Sequence, residues 1–152
     1  MGLKHDFYLV TEKIERNEIY MIKEKIRAID QVIIHDDIIL YILDSLEWIP
    51  SQNPALNGSP IGQGIQYHGV TLFDGQSSKS LKAIFTSWRS LFENASDTFE
   101  LTGNFVYGNN ENDGEYERIR VDRAEVVEQF GKIISMAEQL AKGDCYLYHC
   151  GI

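Results

Sequence analysis

The spacing of hydrophobic positions divides the chain into segments of strand and helix character. Runs of β-branched and aromatic residues predict strands, whereas apolar residues that recur every three or four positions predict amphipathic helices. In the first half this predicts a strand at 3–10, a helix at 17–29, room for a short strand at 31–34, and a helix that begins at Asp36 and stops before Pro50. Residues 51–64 (SQNPALNGSPIGQG) have a loop composition, and a loop of this length is either functional or mobile.

The second half alternates between the same two patterns. The predicted elements are a strand at 65–73, a helix that Ser77 or Ser78 caps, a strand at 98–107, a polar turn, a strand at 115–122, a helix from Asp122 to Lys142 with Gly143 after its end, and a strand at 145–150. This β-α-β-β-α-β order over 65–152 is the ferredoxin-like order. We therefore predict a single α+β domain over 1–152, with helices packed on a mostly antiparallel sheet and an N-terminal strand and two helices added.

Composition and charge narrow the kinds of partner. The chain has 152 residues, 43% of them hydrophobic, which suits one domain with its own core. Its formal net charge is −9, from 14 basic and 23 acidic residues, which disfavours direct binding to nucleic acid or to anionic membranes and favours either solubility alone or a basic partner. The start MGLKHDFYLV lacks the layout of a signal peptide, and no run reaches the ~20 apolar residues of a membrane helix, so we expect a cytoplasmic location.

Acidic residues are concentrated in two parts of the chain. No lysine or arginine occurs between Arg27 and Lys79, although that stretch holds several acids, and a second acidic group surrounds the predicted turn at 108–114. Exposed acids beside exposed aromatic residues would form a partner-binding patch. The candidate partner-binding residues are Asp36, Asp37, Tyr41, Asp44, Glu47, Trp48, Glu111, Asp113 and Glu115. The competing interpretation is a solvated acidic surface with Trp48 in the core.

An adjacent histidine and aspartate, His35 and Asp36, are the core of the metal site in HD-type phosphohydrolases. Such a site needs further ligands, and His68 or His149 would have to supply them, although neither has a matching spacing. A small metal-dependent hydrolase is therefore the alternative function. The competing interpretation is that Asp36 and Asp37 stabilise the N-terminus of a helix.

Cysteine and glycine patterns indicate no cofactor. Cys145 and Cys150 are separated by four residues, but no second cysteine pair exists to complete a zinc site. In a strand the two thiols face opposite sides, so we expect them to be buried and unpaired. The glycines of 51–64 match neither nucleotide-binding glycine motif. We predict no metal, no cofactor and no catalytic residue.

Four segments of the second half form a pattern: LKAIFTSWRSLF at 81–92, TFELTGNFVY at 98–107, YERIRVDRAEVVEQFGKI at 116–133 and CYLYHCGI at 145–152. Together they resemble small bacterial immunity proteins of polymorphic-toxin and contact-dependent growth inhibition systems, in particular the immunity protein 70 group. The resemblance implies a non-catalytic inhibitor that binds and neutralises a cognate toxin domain in the cytoplasm of the producing cell. Many such toxins are nucleases, whose basic active sites an acidic protein can occlude.

The inhibitor hypothesis makes the toxin domain, a basic protein, the expected partner in a 1:1 complex. On its own the chain would be a monomer or a weak homodimer. A third hypothesis is a ferredoxin-like module that senses a small ligand or forms oligomers through a sheet edge or face.

Overall fold

The structure, a computed structural model, describes residues 2–110 and 112–152, which form eight strands and four α-helices. The strands are β1 (Lys4–Val10), β2 (Asp30–His35), β3 (Pro50–Gln52), β4 (Ile61–Gln63), β5 (Val70–Phe73), β6 (Thr98–Tyr107), β7 (Gly114–Asp122) and β8 (Tyr146–Cys150). The helices are α1 (Ile22–Lys25), α2 (Asp36–Leu46), α3 (Ser78–Phe92) and α4 (Arg123–Leu140), with 3-10 turns at Arg16–Met21 and Gly75–Ser77. None of the helices in these ranges is long and apolar enough to cross a bilayer.

Six strands form one antiparallel sheet in the order β2-β1-β8-β5-β3-β4, so the first and last strands of the chain are neighbours. Within the described ranges, β6 and β7 pair with each other alone and form a separate hairpin. The predicted α+β class and mostly antiparallel sheet are confirmed. The β-α-β-β-α-β order along the chain is present, but its two middle strands lie outside the sheet that β5 and β8 share.

One face of the sheet packs against helices α2, α3 and α4. Alternate residues of the central strands, such as Phe7 and Leu147, join Phe85 of α3 and Phe130 of α4 in the larger hydrophobic cluster. The rings of Phe85 and Phe130 meet edge-on with centroids 5.0 Å apart. This contact fixes α3 against α4 over the sheet.

The opposite face of the sheet has a smaller cluster of its own. The segment between β1 and β2 brings Ile19 and Ile22 into one cluster with Leu72 and Tyr148 of the strands. The Tyr148 hydroxyl accepts a hydrogen bond from the backbone N–H of Ile14 at 3.0 Å, which ties this segment to β8. Both faces of the central strands are therefore buried.

Local signals set the ends of the long helices. Asp122 accepts a hydrogen bond from the backbone N–H of Glu125 at 2.9 Å, which is the N-cap predicted for α4. Gly143 follows α4 with φ of +86°, a left-handed conformation that favours glycine, as predicted. Before α3, Asp74 and Ser77 cap the 3-10 turn reciprocally, so the cap lies one turn earlier than predicted.

Three predicted elements differ from the structure. The helix predicted at 17–29 is a 3-10 turn and one turn of α-helix, and the chain is extended from Ile26, because its apolar side chains spread over the sheet. The loop predicted at 51–64 contains two of the three residues of β3 and all of β4, and both strands are too short to show a periodic pattern. The strand predicted at 65–73 begins only at Val70, after a turn.

Candidate functional site

Helix α2 has one buried and one exposed side because its apolar residues recur at helical spacing. The buried side consists of Ile38, Ile39, Ile42 and Leu46. The helix begins where His35 caps it, since Nδ1 of His35 accepts a hydrogen bond from the backbone N–H of Asp37 at 3.1 Å. Asp36 and Asp37 lie in the first turn, where negative charge complements the helix dipole, as the competing interpretation of these residues predicted.

The other side of α2 carries acidic and large apolar residues that continue past the end of the helix. This surface, the α2 stripe, consists of Asp37, Leu40, Tyr41, Asp44, Glu47 and Trp48. Their spacing places them along one side of the helix. Trp48 is 67% exposed and Tyr41 is 43% exposed, so the interpretation that placed Trp48 in the core is wrong.

Packing from α3 holds one aromatic ring of the α2 stripe in position. The rings of Tyr41 and Trp88 meet edge-on with centroids 5.8 Å apart. Trp88 in turn donates from Nε1 to the hydroxyl of Ser45 at 2.9 Å. Tyr41 is therefore held in place by Trp88, with part of its ring exposed.

Asp36 does not belong to the α2 stripe, although we predicted it as a contact residue. Its side chain is buried, and Oδ1 accepts hydrogen bonds from Nε2 of His5 at 2.8 Å and from the hydroxyl of Tyr67 at 2.5 Å. The carboxylate turns inward because two buried donors need an acceptor there. Asp36 is thus corrected from a surface contact to a buried residue, while its neighbour Asp37 stays half-exposed.

The β6–β7 hairpin carries the second group of predicted acids. Asp113 and Glu115 are exposed, and Glu111 lies outside the described residues. Regular alternation along β7 places Glu115 and Glu117 on one face of the hairpin and Tyr116 on the other. Glu115 and Glu117 therefore face the same way.

Three exposed aromatic residues near the hairpin tip were missed at the sequence level: Phe105, Tyr107 and Tyr116. The ring of Phe105 lies 5.1 Å from each of the other two rings, edge-on to both. It rests over Gly114, where a Cβ atom would overlap the ring. One sequence signal could have indicated them. Aromatic residues stand at alternate positions, 105 and 107, beside a polar turn that has no core to pack against.

The α2 stripe and the hairpin meet along a groove of about 230 Å³. Its lining residues are Asp37, Leu40, Tyr41, Thr102, Gly103, Asn104, Glu117 and Ile119. Two of them are carboxylates and none is lysine or arginine, so the groove joins negative charge to apolar walls. Asp37 of α2 and Glu117 of β7, distant in sequence, thus lie on one concave surface, while the predicted Asp113 and Glu115 do not line it.

A larger cleft of about 970 Å³ opens on the opposite face of the sheet, beside the segment that follows β1. It is lined by acidic Glu15 and Glu24 and by basic Arg16 and Lys23, which leaves no preference for one sign of charge. Arg16 donates from Nε to the carbonyl of Ala55 at 3.1 Å. The cleft shares no residue with the predicted partner-binding set.

A chain of buried hydrogen bonds links the sheet to the start of α2, and it was not predicted. It runs through Thr71, His149, His5, Asp36 and Tyr67. Because the carboxylate of Asp36 can only accept, Nε2 of His5 donates to it, and in a neutral His5 ring Nδ1 accepts from Nε2 of His149. The free Nδ1 of His149 faces the hydroxyl of Thr71 at 3.4 Å. Each ring nitrogen then has a partner with both imidazoles neutral.

The surroundings of this network favour the neutral forms of His149 and Tyr67. Burial, with a smaller contribution from neighbouring His5, lowers the pKa of His149 to about 3. Burial and the hydrogen bond to Asp36 raise the pKa of Tyr67 to about 12. The network joins β1, β8, β5 and α2, and its two histidines are closed to solvent. These contacts fit a role in holding the fold together.

The residues of the hydrolase alternative do not assemble around His35. His68 is exposed, and His149 reaches Asp36 only through the ring of His5. Across residues 2–110 and 112–152, no group of three or more His, Cys, Asp or Glu side chains is arranged to hold a metal ion.

The two cysteines are free and buried on opposite faces of the sheet, as predicted. Cys145 belongs to the cluster under the helices, and Cys150 belongs to the smaller cluster. Burial raises the pKa of Cys145 and raises that of Cys150 to about 11. Both thiols are therefore protonated near neutral pH and packed as apolar groups.

No family model matches this chain, and neither a curated protein nor a solved structure matches it. The resemblance to immunity proteins stays a prediction. The surface formed by α2 and the hairpin is the feature of the fold that bears on it.

Proposed function

We propose that the chain is an immunity protein that binds and neutralises a cognate toxin domain in the cytoplasm of the producing cell. The observation that carries the proposal is the α2 stripe, where exposed Trp48 and Tyr41 stand among exposed Asp44 and Glu47. Interfaces that bind tightly combine such aromatic anchors with charged residues at the rim.

Charge supports a basic partner. The chain carries a formal net charge of −9, and the sequence that includes the α2 stripe has no lysine or arginine between Arg27 and Lys79. A toxin that cleaves nucleic acid has a basic active site because its substrate is anionic. An acidic inhibitor is steered toward such a site, which raises the association rate at low salt.

Packing of the aromatic residues would set the lifetime of the complex. The exposed ring of Trp48 offers a large apolar area at a small cost in side-chain entropy, and Tyr41 is already held by Trp88. Burial of both rings would slow dissociation, which is where most affinity differences arise. We therefore expect the acidic residues to set the association rate and the aromatic residues to set the dissociation rate.

A growth assay tests the proposal. The product of the neighbouring reading frame is expressed without and with this chain, and we expect growth arrest when the chain is absent and recovery when it is present. The purified pair should form a 1:1 complex whose association rate falls as salt rises. A neighbour that is not toxic, or whose toxicity this chain leaves unchanged, would refute the immunity function.

Charge reversals test the surface. Asp44→Lys and Glu47→Lys should each slow association, weakening binding about tenfold at low salt. Glu128→Lys, on the exposed side of α4, is the matched control that changes the net charge equally. If the three variants weaken binding equally, net charge rather than the α2 stripe governs binding, and the assigned surface is wrong.

A further inference from the structure

The groove between α2 and the hairpin has features that specify a ligand more closely than net charge does. This inference rests on the proposed function and names what the partner places there. We propose that the groove receives one arginine side chain of the protein partner. Its volume of about 230 Å³ suits a single long side chain rather than a peptide segment or a cofactor.

The shape of the groove arises from an irregularity in the hairpin. The register of β6 against β7 shifts between Thr102 and Phe105, so β6 bulges at this point. Gly103 lies on the groove side of the bulge, and a Cβ atom there would lie 3.1 Å from Cβ of Glu117 and 3.2 Å from Cδ1 of Ile119. The missing side chain at Gly103 therefore leaves the floor of the groove open.

The chemistry of the walls suits a guanidinium group. Asp37 approaches from α2 and Glu117 from β7, so two carboxylates from different elements can accept its N–H groups. The half-exposed ring of Tyr41 offers a face on which a planar cation stacks. Leu40 and Ile119 can cover the methylene groups of the same side chain.

Arginine fits these walls better than lysine does. A guanidinium is planar, donates in a fixed fork to two carboxylates and is more weakly hydrated than an ammonium, so it loses less on entering a partly apolar groove. None of the lining residues is lysine or arginine. Arg118 donates to the hydroxyl of Thr102 at the edge of the groove, and Arg120 lines the neighbouring pocket with Asp37. Nδ1 of His35 lies 3.4 Å from Oδ2 of Asp37.

The test uses the whole chain and a defined probe, the peptide acetyl-Gly-Arg-Gly-amide, in amide NMR titrations. We expect saturable shifts centred on Tyr41, Gly103 and Asn104, with a dissociation constant on the order of millimolar. The same peptide with citrulline, which keeps the shape and loses the charge, should give no saturable shift at these residues. The lysine peptide should bind at least about threefold more weakly.

Two variants and a control complete the test. Asp37→Asn and Glu117→Gln should each abolish the arginine-dependent shifts, while Glu100→Gln should leave them unchanged, because Glu100 alternates with Leu101 and so lies on the other face of the hairpin. Spectra outside the groove should stay the same in all three proteins, which shows that they are folded. No saturable shift with the arginine peptide, or equal shifts with citrulline or lysine, would overturn the assignment.

The outcome is independent of the growth assay. If the chain rescues growth and the arginine peptide does not bind, the immunity function stands and the arginine groove is wrong. If the peptide binds as described and no toxin is neutralised, the groove stands and the proposed function fails.

Discussion

Nδ1 of His5 lies 2.8 Å from Nε2 of His149, and both rings are fully buried between the first and last strands of the chain. The rings are nearly parallel, with centroids 5.1 Å apart and an interplanar angle of 18°. When both imidazoles are neutral, this contact and the one to the carboxylate of Asp36 are satisfied together if each histidine donates through Nε2 and accepts through Nδ1. The pair therefore links two strands that lie at opposite ends of the sequence.

Acid should weaken the fold through His149. Its pKa falls from 6.5 to about 3 on folding, so the unfolded chain takes up the proton first as pH drops. The stabilising contribution is complete above pH 6.5 and is lost progressively as pH falls toward 3. Between pH 6.5 and pH 4 this one group should lower the free energy of unfolding by about 3 kcal/mol. Urea denaturation across this range measures the loss.

The control for this pH dependence is His149→Gln, which removes the titrating group. Its free energy of unfolding should be lower at pH 7 because hydrogen bonds to His5 and Thr71 are lost. The difference between the two proteins should then narrow as pH falls, since the variant no longer takes up this proton on unfolding. Parallel pH profiles for both proteins would show that His149 does not titrate as described.

Two aspartates of α2 should behave differently when they are truncated. Asp36→Ala leaves the buried Nε2–H of His5 and the hydroxyl of Tyr67 without an acceptor, which should cost about 2–4 kcal/mol of unfolding free energy. Asp44→Ala, on the exposed side of the same helix, should change it by less than about 0.5 kcal/mol. Chemical denaturation at pH 7 compares them, and equal costs would contradict the burial of Asp36.

Gly151 lies so close to the backbone of Tyr67 that we expect its substitution to destabilise the fold. A Cβ atom there would overlap the backbone carbonyl oxygen of Tyr67, and backbone atoms cannot move aside cheaply. Gly151→Ala should therefore disturb the hydrogen bond from its N–H to the carbonyl of Gly69 and cost about 2 kcal/mol or more. Gly62→Ala is the matched control, since no atom lies within 4 Å of its added Cβ. Thermal unfolding should show a lower midpoint for Gly151→Ala alone.

Local patterns explain which features could be predicted from the sequence. The alternation within residues 145–150 placed Cys145 and Cys150 on opposite faces of a strand, and the clusters confirm it, because a period of two is a property of the strand alone. The cap at Asp122 and the glycine at Gly143 are equally local, since each depends on a few neighbouring residues.

Contacts between distant segments could not be predicted in the same way. His5 and His149 are 144 positions apart, and no local spacing relates them. Asp36 and Asp37 are adjacent and suit a helix N-terminus equally well, so only the position of His5 decides which one is buried. Predicting the groove would have required the position of the hairpin relative to α2. The alternation of residues within the hairpin does not give that position.

The two tryptophans offer a final prediction, because one is exposed and the other is packed. Trp48→Ala should leave the free energy of unfolding within about 0.5 kcal/mol of the wild type, since 67% of the side chain is exposed, while it accelerates dissociation from the toxin. Trp88→Ala should cost about 2 kcal/mol or more, because Trp88 packs on Phe92 and donates to Ser45. Denaturation and dissociation kinetics on both variants separate stability from binding. A Trp48→Ala protein that keeps the wild-type dissociation rate would remove Trp48 from the binding surface, and a Trp48→Ala protein that unfolds easily would show that its ring supports the fold.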